Sequence, residues 1–291
     1  MRRAAHALRE RLARGALALT RRAGRRLGQH VTVANVHSVI PEIPPESDPI
    51  WSRRSDLEVD SAGAMDFIES ALSRFIPEMT GFQIWNGLYE GGDAELLYAM
   101  VRHTKPKRVL ELGAGFSTMI TAAACMRNID EGCPVEVLAV DPEPRIEVAA
   151  ALRAVGRFER ADARDLSVGR FEELEAGDLL FIDTSHVVKL GSEVNRLLLE
   201  VLPQLAPGVR VQVHDIFLPY EYPRHRLIAS GFFNEQYLLH ALLLESPGWQ
   251  IELPVYAVWR EQRERLAAAI PSLRSLPQRE YEPSALWLRR V

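Results

Sequence analysis

The segment Val109-Leu-Glu-Leu-Gly-Ala-Gly-Phe-Ser-Thr118 runs an apolar stretch straight into two glycines and then into a helical pattern. That order constrains the fold. It needs a strand, a tight turn whose glycines let a ligand approach the main chain, and a helix whose first N–H groups lack intrahelical partners. From residue 108 onward, short apolar runs alternate with helical periods, the pattern of a mostly parallel sheet. Strands are expected at 108–112, 135–140, 178–182 and 209–213, with a weaker one near 157–160 and two closing strands at 249–255 and 284–290. Helices are expected at about 116–127, 144–154, 191–205, 233–245 and 259–269. The fold class is α/β, a doubly wound, mostly parallel sheet.

Upstream, a helical pattern at 61–76 ends before Pro77, and a second begins near Gly91-Gly92-Asp93, where Asp93 is the expected N-cap. Pro41, Pro44, Pro45 and Pro49 make 31–60 irregular. Three regions follow: a basic extension over 1–30, an irregular and helical segment over 31–90 able to act as a lid, and the main domain over 91–291. Residues 1–30 hold nine Arg and one Glu, with Leu8, Leu12 and Leu19 on one stripe. Such a segment can lie on an anionic membrane surface, serve as an organellar transit peptide, or be a solvated, partly disordered extension.

The rest of the chain carries a net charge of −12, so a general nucleic-acid surface on the folded body is not expected. No apolar stretch approaches the ~20 residues of a membrane span. Cys125 and Cys133 have no CxxC spacing and read as reduced thiols of a cytoplasmic protein. The basic start allows peripheral contact with the inner membrane. Only three of the 35 basic residues are Lys, a bias expected of a GC-rich bacterial coding sequence.

Spacing narrows the ligand. A dinucleotide fingerprint would place its third glycine at position 118, which is Thr118. Glu111 precedes the turn, Asp141 ends the next strand where it can accept from two ribose hydroxyls, and Asp162 follows the third strand within reach of an adenine amino group. Carboxylates without the third glycine suit a nucleoside cofactor that lacks phosphate.

The series ELGAGFST, AVDPEP, ADARDL and FIDTSH resembles, in order, the motifs of class I S-adenosylmethionine-dependent methyltransferases, over roughly residues 85–290. The resemblance implies a seven-stranded Rossmann-like methyltransferase fold with one reversed strand, and S-adenosyl-L-methionine bound at the carboxyl edge of the sheet. Glu111, Gly113, Gly115 and Ser117 would hold the methionine part, Asp141 the ribose and Asp162 the adenine.

The acceptor side resembles catechol-type and sugar O-methyltransferases of bacteria. There the fourth and fifth strands would bring Asp183 and Asp215 together around Mg²⁺ or another divalent cation. In that pattern a Lys base follows the first Asp by three residues; here His186 takes its place. The second carboxylate departs from the pattern, because Asp215 is followed by Ile216. His214 could substitute, although strand alternation turns it away from Asp215. Metal-dependent and metal-free readings both stand.

The loop after HDIFLP would close over the acceptor, with Tyr220, Tyr222, His225 and Arg226 lining its pocket. Asn234 and Glu235 open the next helix, where capping accounts for them. The implied activity is methylation of a hydroxyl on a small molecule or glycan precursor, with Asp183 positioning the acceptor and His186 removing its proton. Asp183-Thr-Ser-His186 lacks the [DN]PP[YFW] tetrad of amino-directed nucleic-acid enzymes. Two other classes compete. One is a metal-dependent oxygenase or hydrolase using Asp183, His186, His214 and Asp215 as ligands. The other is a membrane-docked binding protein with a vestigial cofactor site.

Overall fold

The apolar runs become seven strands: β1 (Arg108–Leu112), β2 (Glu136–Val140), β3 (Gly156–Glu159), β4 (Leu179–Ile182), β5 (Arg210–Val213), β6 (Trp249–Pro254) and β7 (Leu286–Arg290). They form one sheet in the order β3-β2-β1-β4-β5-β7-β6. All pairings are parallel except those of β7, which runs antiparallel to both neighbours. Helices cover both faces, giving the doubly wound Rossmann-like architecture. The computed structural model describes residues 43–54, 56–229, 232–277 and 280–291, with Leu19, Thr20 and Ala23. The remainder of the basic segment 1–30, and residues 31–42, lie outside the described residues.

Two-residue alternation sorts the strands into faces. Leu110, Leu112, Leu138, Val140, Leu180 and Ile182 join the core beneath the helical stretch that starts with Glu193–Arg196 and continues through Leu197, Leu198 and Val201. The opposite face carries Val109, Glu111, Phe181 and Gln212, all buried. Two polar residues on a fully covered face are costly unless something uses them.

Helices in chain order are α1 (Ser61–Phe67), α2 (Gly91–Thr104), α3 (Phe116–Asp130), α4 (Ala149–Leu152), α5 (Val168–Glu172), α6 (Glu193–Arg196), α7 (Arg224–Ala229), α8 (Glu235–Leu243), α9 (Val255–Glu261) and α10 (Arg263–Ala269). Both α1 and α6 run on into a π turn and then a 3-10 turn. Where one helix was expected over 144–154, only Ala149–Leu152 is helical; the preceding stretch runs through bends, Pro142 and Pro144 each disfavouring helical backbone at the residue before it. The expected helix 259–269 is two helices, α9 and α10, broken at Gln262.

Asp93 is not the cap of α2. Glu90 occupies that position, and Asp93 lies inside the first turn, 3% exposed. Its carboxylate accepts from the backbone N–H groups of Ser284 (2.7 Å) and Ala285 (3.0 Å), tying α2 to the approach of β7. Residues Pro45–Val291 form one compact unit.

The register positions the site. Leu112 is level with Val140 on one side and Ile182 on the other, and Ile182 with Val213. The next residues, Gly113, Asp141, Asp183 and His214, therefore leave the sheet in one row along its carboxyl edge. In open α/β sheets this edge is where ligands bind.

Candidate active site

A cavity of about 560 Å³ opens along that row, within the size range of small-molecule sites. One half is walled by Gly113–Ser117 and Asp141, the other by Asp183–His186, His214, Asp215 and Arg226, and Gly87–Tyr89 contribute from the segment before α2.

The two glycines of the turn have different reasons to be glycine. Gly113 has φ +92, and a Cβ there would lie 1.8 Å from the carbonyl oxygen of Asp183. The fold itself forbids a side chain at that position. A Cβ on Gly115 would meet nothing within 4 Å, yet Gly115 lines the cavity at the N-terminus of α3. The space left open there is available to a ligand.

Glu111, expected to touch the cofactor, sits beneath the turn instead. It is fully buried and absent from the cavity wall. Its Oε1 accepts from the Ser117 hydroxyl (2.6 Å) and the Thr118 hydroxyl (2.9 Å), and Thr118 Oγ1 in turn accepts from Gly115 N–H (3.0 Å). Glu111 thus shapes the loop from below, because strand alternation turns its side chain into the face packed against α3. Burial pushes its carboxyl up to about 8, against the lowering effect of the two hydroxyls. Ser117 does line the cavity.

Asp141 accepts from Ala114 N–H (2.9 Å) and Glu143 N–H (2.7 Å), one on each oxygen. A carboxylate has about four acceptor positions, so this fixed group keeps capacity for ligand hydroxyls. Asp162 is not on the cavity wall. β3 ends level with β2 at Glu159, so Asp162 falls three residues beyond the edge. There it caps the 3-10 turn Ala163–Asp165 and pairs with Arg164 (2.7 Å), which holds its carboxyl below the usual range.

Asp183 Oδ1 lies 3.2 Å from His186 Nε2 and 3.6 Å from His214 Nδ1. Burial alone would raise the Asp183 carboxyl, but His214 and His186 outweigh it and hold it far below the usual range. Burial would likewise lower His186. Asp183 at Nε2 and Glu235 at Nδ1 (2.9 Å) overcome that and push the imidazole up to about 10. His214 is raised for the same reason, between Asp183 and Asp93.

His214 and Asp215 line the same cavity, contrary to the expectation from alternation. Asp215 has φ +54 and has left the strand conformation, so the two-residue period no longer applies. Asp215 Oδ1 accepts from Arg226 (3.0 Å) and the Ser284 hydroxyl (2.9 Å). Among the described residues, no group of three or more His, Cys, Asp or Glu side chains is gathered to hold a metal ion. The expected metal pair, Asp183 and Asp215, is interleaved with histidines and Arg226.

Of the four residues expected around the acceptor, Arg226 alone lines the main cavity. His225 lies between Glu280 (3.5 Å) and Glu282 (3.1 Å) on an adjoining cavity of about 190 Å³ that shares Arg226 and His214. Tyr220 and Tyr222 are packing residues. The Tyr220 hydroxyl donates to Glu261 (3.0 Å) with Arg260 over its ring, and Tyr222 is fully buried, its oxygen accepting from Gln236 N–H (3.0 Å).

Sequence reasoning missed Tyr89 and Glu235. Tyr89 lies in the irregular segment and is buried against Phe181 and His214. Glu235 looks like a helix-start acid until the fold brings His186 to it.

A model of a methyltransferase domain family matches residues 110–216. No curated protein matches the chain. Likeness to solved structures is distant. A CmcI apo-structure is 15% identical with a TM-score of 0.40, covering 71% of this chain and 75% of that one. A putative methyltransferase from Thermobifida fusca YX is 14% identical with a TM-score of 0.37, covering 81% and 96%. A 16S rRNA (adenine(1408)-N(1))-methyltransferase from Catenulisporales acidiphilia is 13% identical with a TM-score of 0.30, covering 67% and 88%. The matched segment runs from β1 through β5 to Ile216 and supplies the glycine turn, Asp141, Asp183 and His214. Over residues 110–216 this chain is thus similar to a methyltransferase domain.

Proposed function

We propose that the chain is an S-adenosylmethionine-dependent O-methyltransferase acting on a hydroxyl of a small molecule or glycan precursor. The observation that carries this reading is the shared cavity. The open turn at Gly115 and the fixed carboxylate of Asp141 stand on one side, and Asp183 with His186 on the other.

The residues fit the cofactor. Gly115 leaves the space that a side chain would fill, Ser117 and the N-terminal N–H groups of α3 face polar groups of the methionine part, and Asp141 retains acceptor positions for the ribose hydroxyls. When bound, S-adenosylmethionine supplies a methyl group already activated by its sulfonium. The chain then has to align the acceptor and exclude water. Asp183 accepts a hydrogen bond from the acceptor hydroxyl, and His186, whose Nε2 lies 3.2 Å from Asp183 Oδ1, takes the hydroxyl proton once its own Nε2 proton has been lost.

Calorimetry with S-adenosylhomocysteine tests the cofactor half. The wild-type chain is expected to bind it at submicromolar concentration, and Asp141→Asn to bind it roughly tenfold or more weakly. Iron binding with no nucleoside affinity would reject the reading in favour of an oxygenase.

A further inference from the structure

Glu235 is fully buried, although a residue at the start of α8 needs no burial to serve that helix. No side-chain cap closes α8: the Asn234 amide oxygen accepts from Val188 N–H (2.6 Å) instead. The backbone N–H groups of Asn234 (3.0 Å) and Glu235 (3.2 Å) both donate to the carbonyl of His186. His186 itself is left-handed, with φ +58, a conformation unfavourable for a non-glycine residue unless its surroundings enforce it. Phe233 packs against the imidazole with ring centroids 4.6 Å apart and planes tilted by 48°. Three consecutive residues at the head of α8 therefore grip one histidine by its ring, its carbonyl and its Nδ1.

A buried carboxylate is strongly disfavoured without a charged or hydrogen-bonded partner. Glu235 Oε2 is 2.9 Å from His186 Nδ1, and Oε1 is buried with no hydrogen-bond partner among the described residues. We infer that Glu235 is a positioning residue for His186. It holds a proton on Nδ1, so that Nε2 is the nitrogen turned to Asp183 and the cavity. The other charged groups facing the ring are Asp183 and, 3.8 Å from Nε2, Asp215; both lie on the Nε2 side and cannot set Nδ1. The functional meaning of this arrangement rests on the proposed role of His186.

The test is long-range proton–nitrogen NMR on the full chain labelled with ¹⁵N-histidine, His186 being assigned by the resonances lost in His186→Gln. The wild-type chain should show a protonated Nδ1 with a strongly deshielded proton. Glu235→Met removes the acceptor at similar volume and should abolish that signature. Glu235→Gln keeps an acceptor and should restore it, at a less deshielded position. A folded Met variant that retains the wild-type Nδ1 proton overturns the inference. So does a Met variant that loses S-adenosylhomocysteine affinity along with the signal, because that marks collapse of the cavity. If the Met variant does not fold, an unshifted Nδ1 proton in the Gln variant overturns it. A wild-type chain that fails to bind S-adenosylhomocysteine would defeat the cofactor reading and leave the His186 spectra to decide this one.

Discussion

Gly113 and Gly115 are two residues apart, yet they answer to different demands. A side chain at Gly113 would collide with the Asp183 carbonyl and must also adopt φ +92. Gly113→Ala is expected to cost about 3 kcal/mol, read from urea unfolding. Gly115→Ala meets no protein atom, so its stability should stay within about 0.5 kcal/mol of wild type. Its affinity for S-adenosylhomocysteine should nevertheless fall on the order of tenfold or more. Equal stability losses in the two variants would contradict this division.

His186 belongs to the same scale. Held up to about 10 by its two carboxylate neighbours, it is a cation at neutral pH and accepts a proton only where it has lost its own. If His186 is the base, turnover should climb as pH rises from 7 towards 10. A profile already flat at pH 7 would assign proton acceptance elsewhere.

At the scale of elements, β1 and α3 are joined through Glu111, whose hydroxyl partners both lie in the first turn of α3. Burial raises its carboxyl to about 8 from the ordinary 4.5, so the folded chain binds this proton more tightly than the unfolded chain. The contribution to stability is complete below pH 4.5, erodes as pH rises, and is lost above about 8. A melting series from pH 5 to 9 should therefore show Glu111→Gln losing about 3–6 °C less than wild type. Parallel curves would mean that Glu111 does not carry the buried proton.

Element positions were largely legible in the sequence, because the seven apolar runs carry a period that survives into the sheet. Partnerships between distant elements were not. Asp93 has the chemistry of a cap, and nothing near it in sequence announces Ser284 and Ala285 as its partners. Glu235 is 49 residues from His186, and a helix-start acid looks the same whether its carboxylate meets water or a histidine. The placement of the loop aromatics was hidden for a related reason: Tyr220 and Tyr222 sit in the loop after β5, but their rings pack beside α8 and α9.

On the scale of the whole molecule, residues 1–30 carry a net charge of +8 and the rest of the chain −12. Among the described residues, no helix is long and apolar enough to cross a membrane. We propose that the basic segment makes peripheral contact with anionic lipid. Full-length protein should float with phosphatidylserine-containing liposomes at low salt, and a chain beginning at Val31 should not. Equal behaviour of the two would remove the membrane contact.

The order of strand, glycine turn and acid is a local property, written in periodicity and in the steric freedom of glycine. The α/β class, the ligand-facing edge and the acids ending successive strands therefore follow from the residues alone. Which of those acids face the cavity depends on register and backbone handedness. A level row of strand ends brings Asp141 and Asp183 to one wall, while β3's edge position leaves Asp162 outside it. The left-handed turns at His186 and Asp215 re-aim side chains that alternation would send elsewhere. Such turns are enforced by contacts across the fold, and no neighbouring residue encodes them.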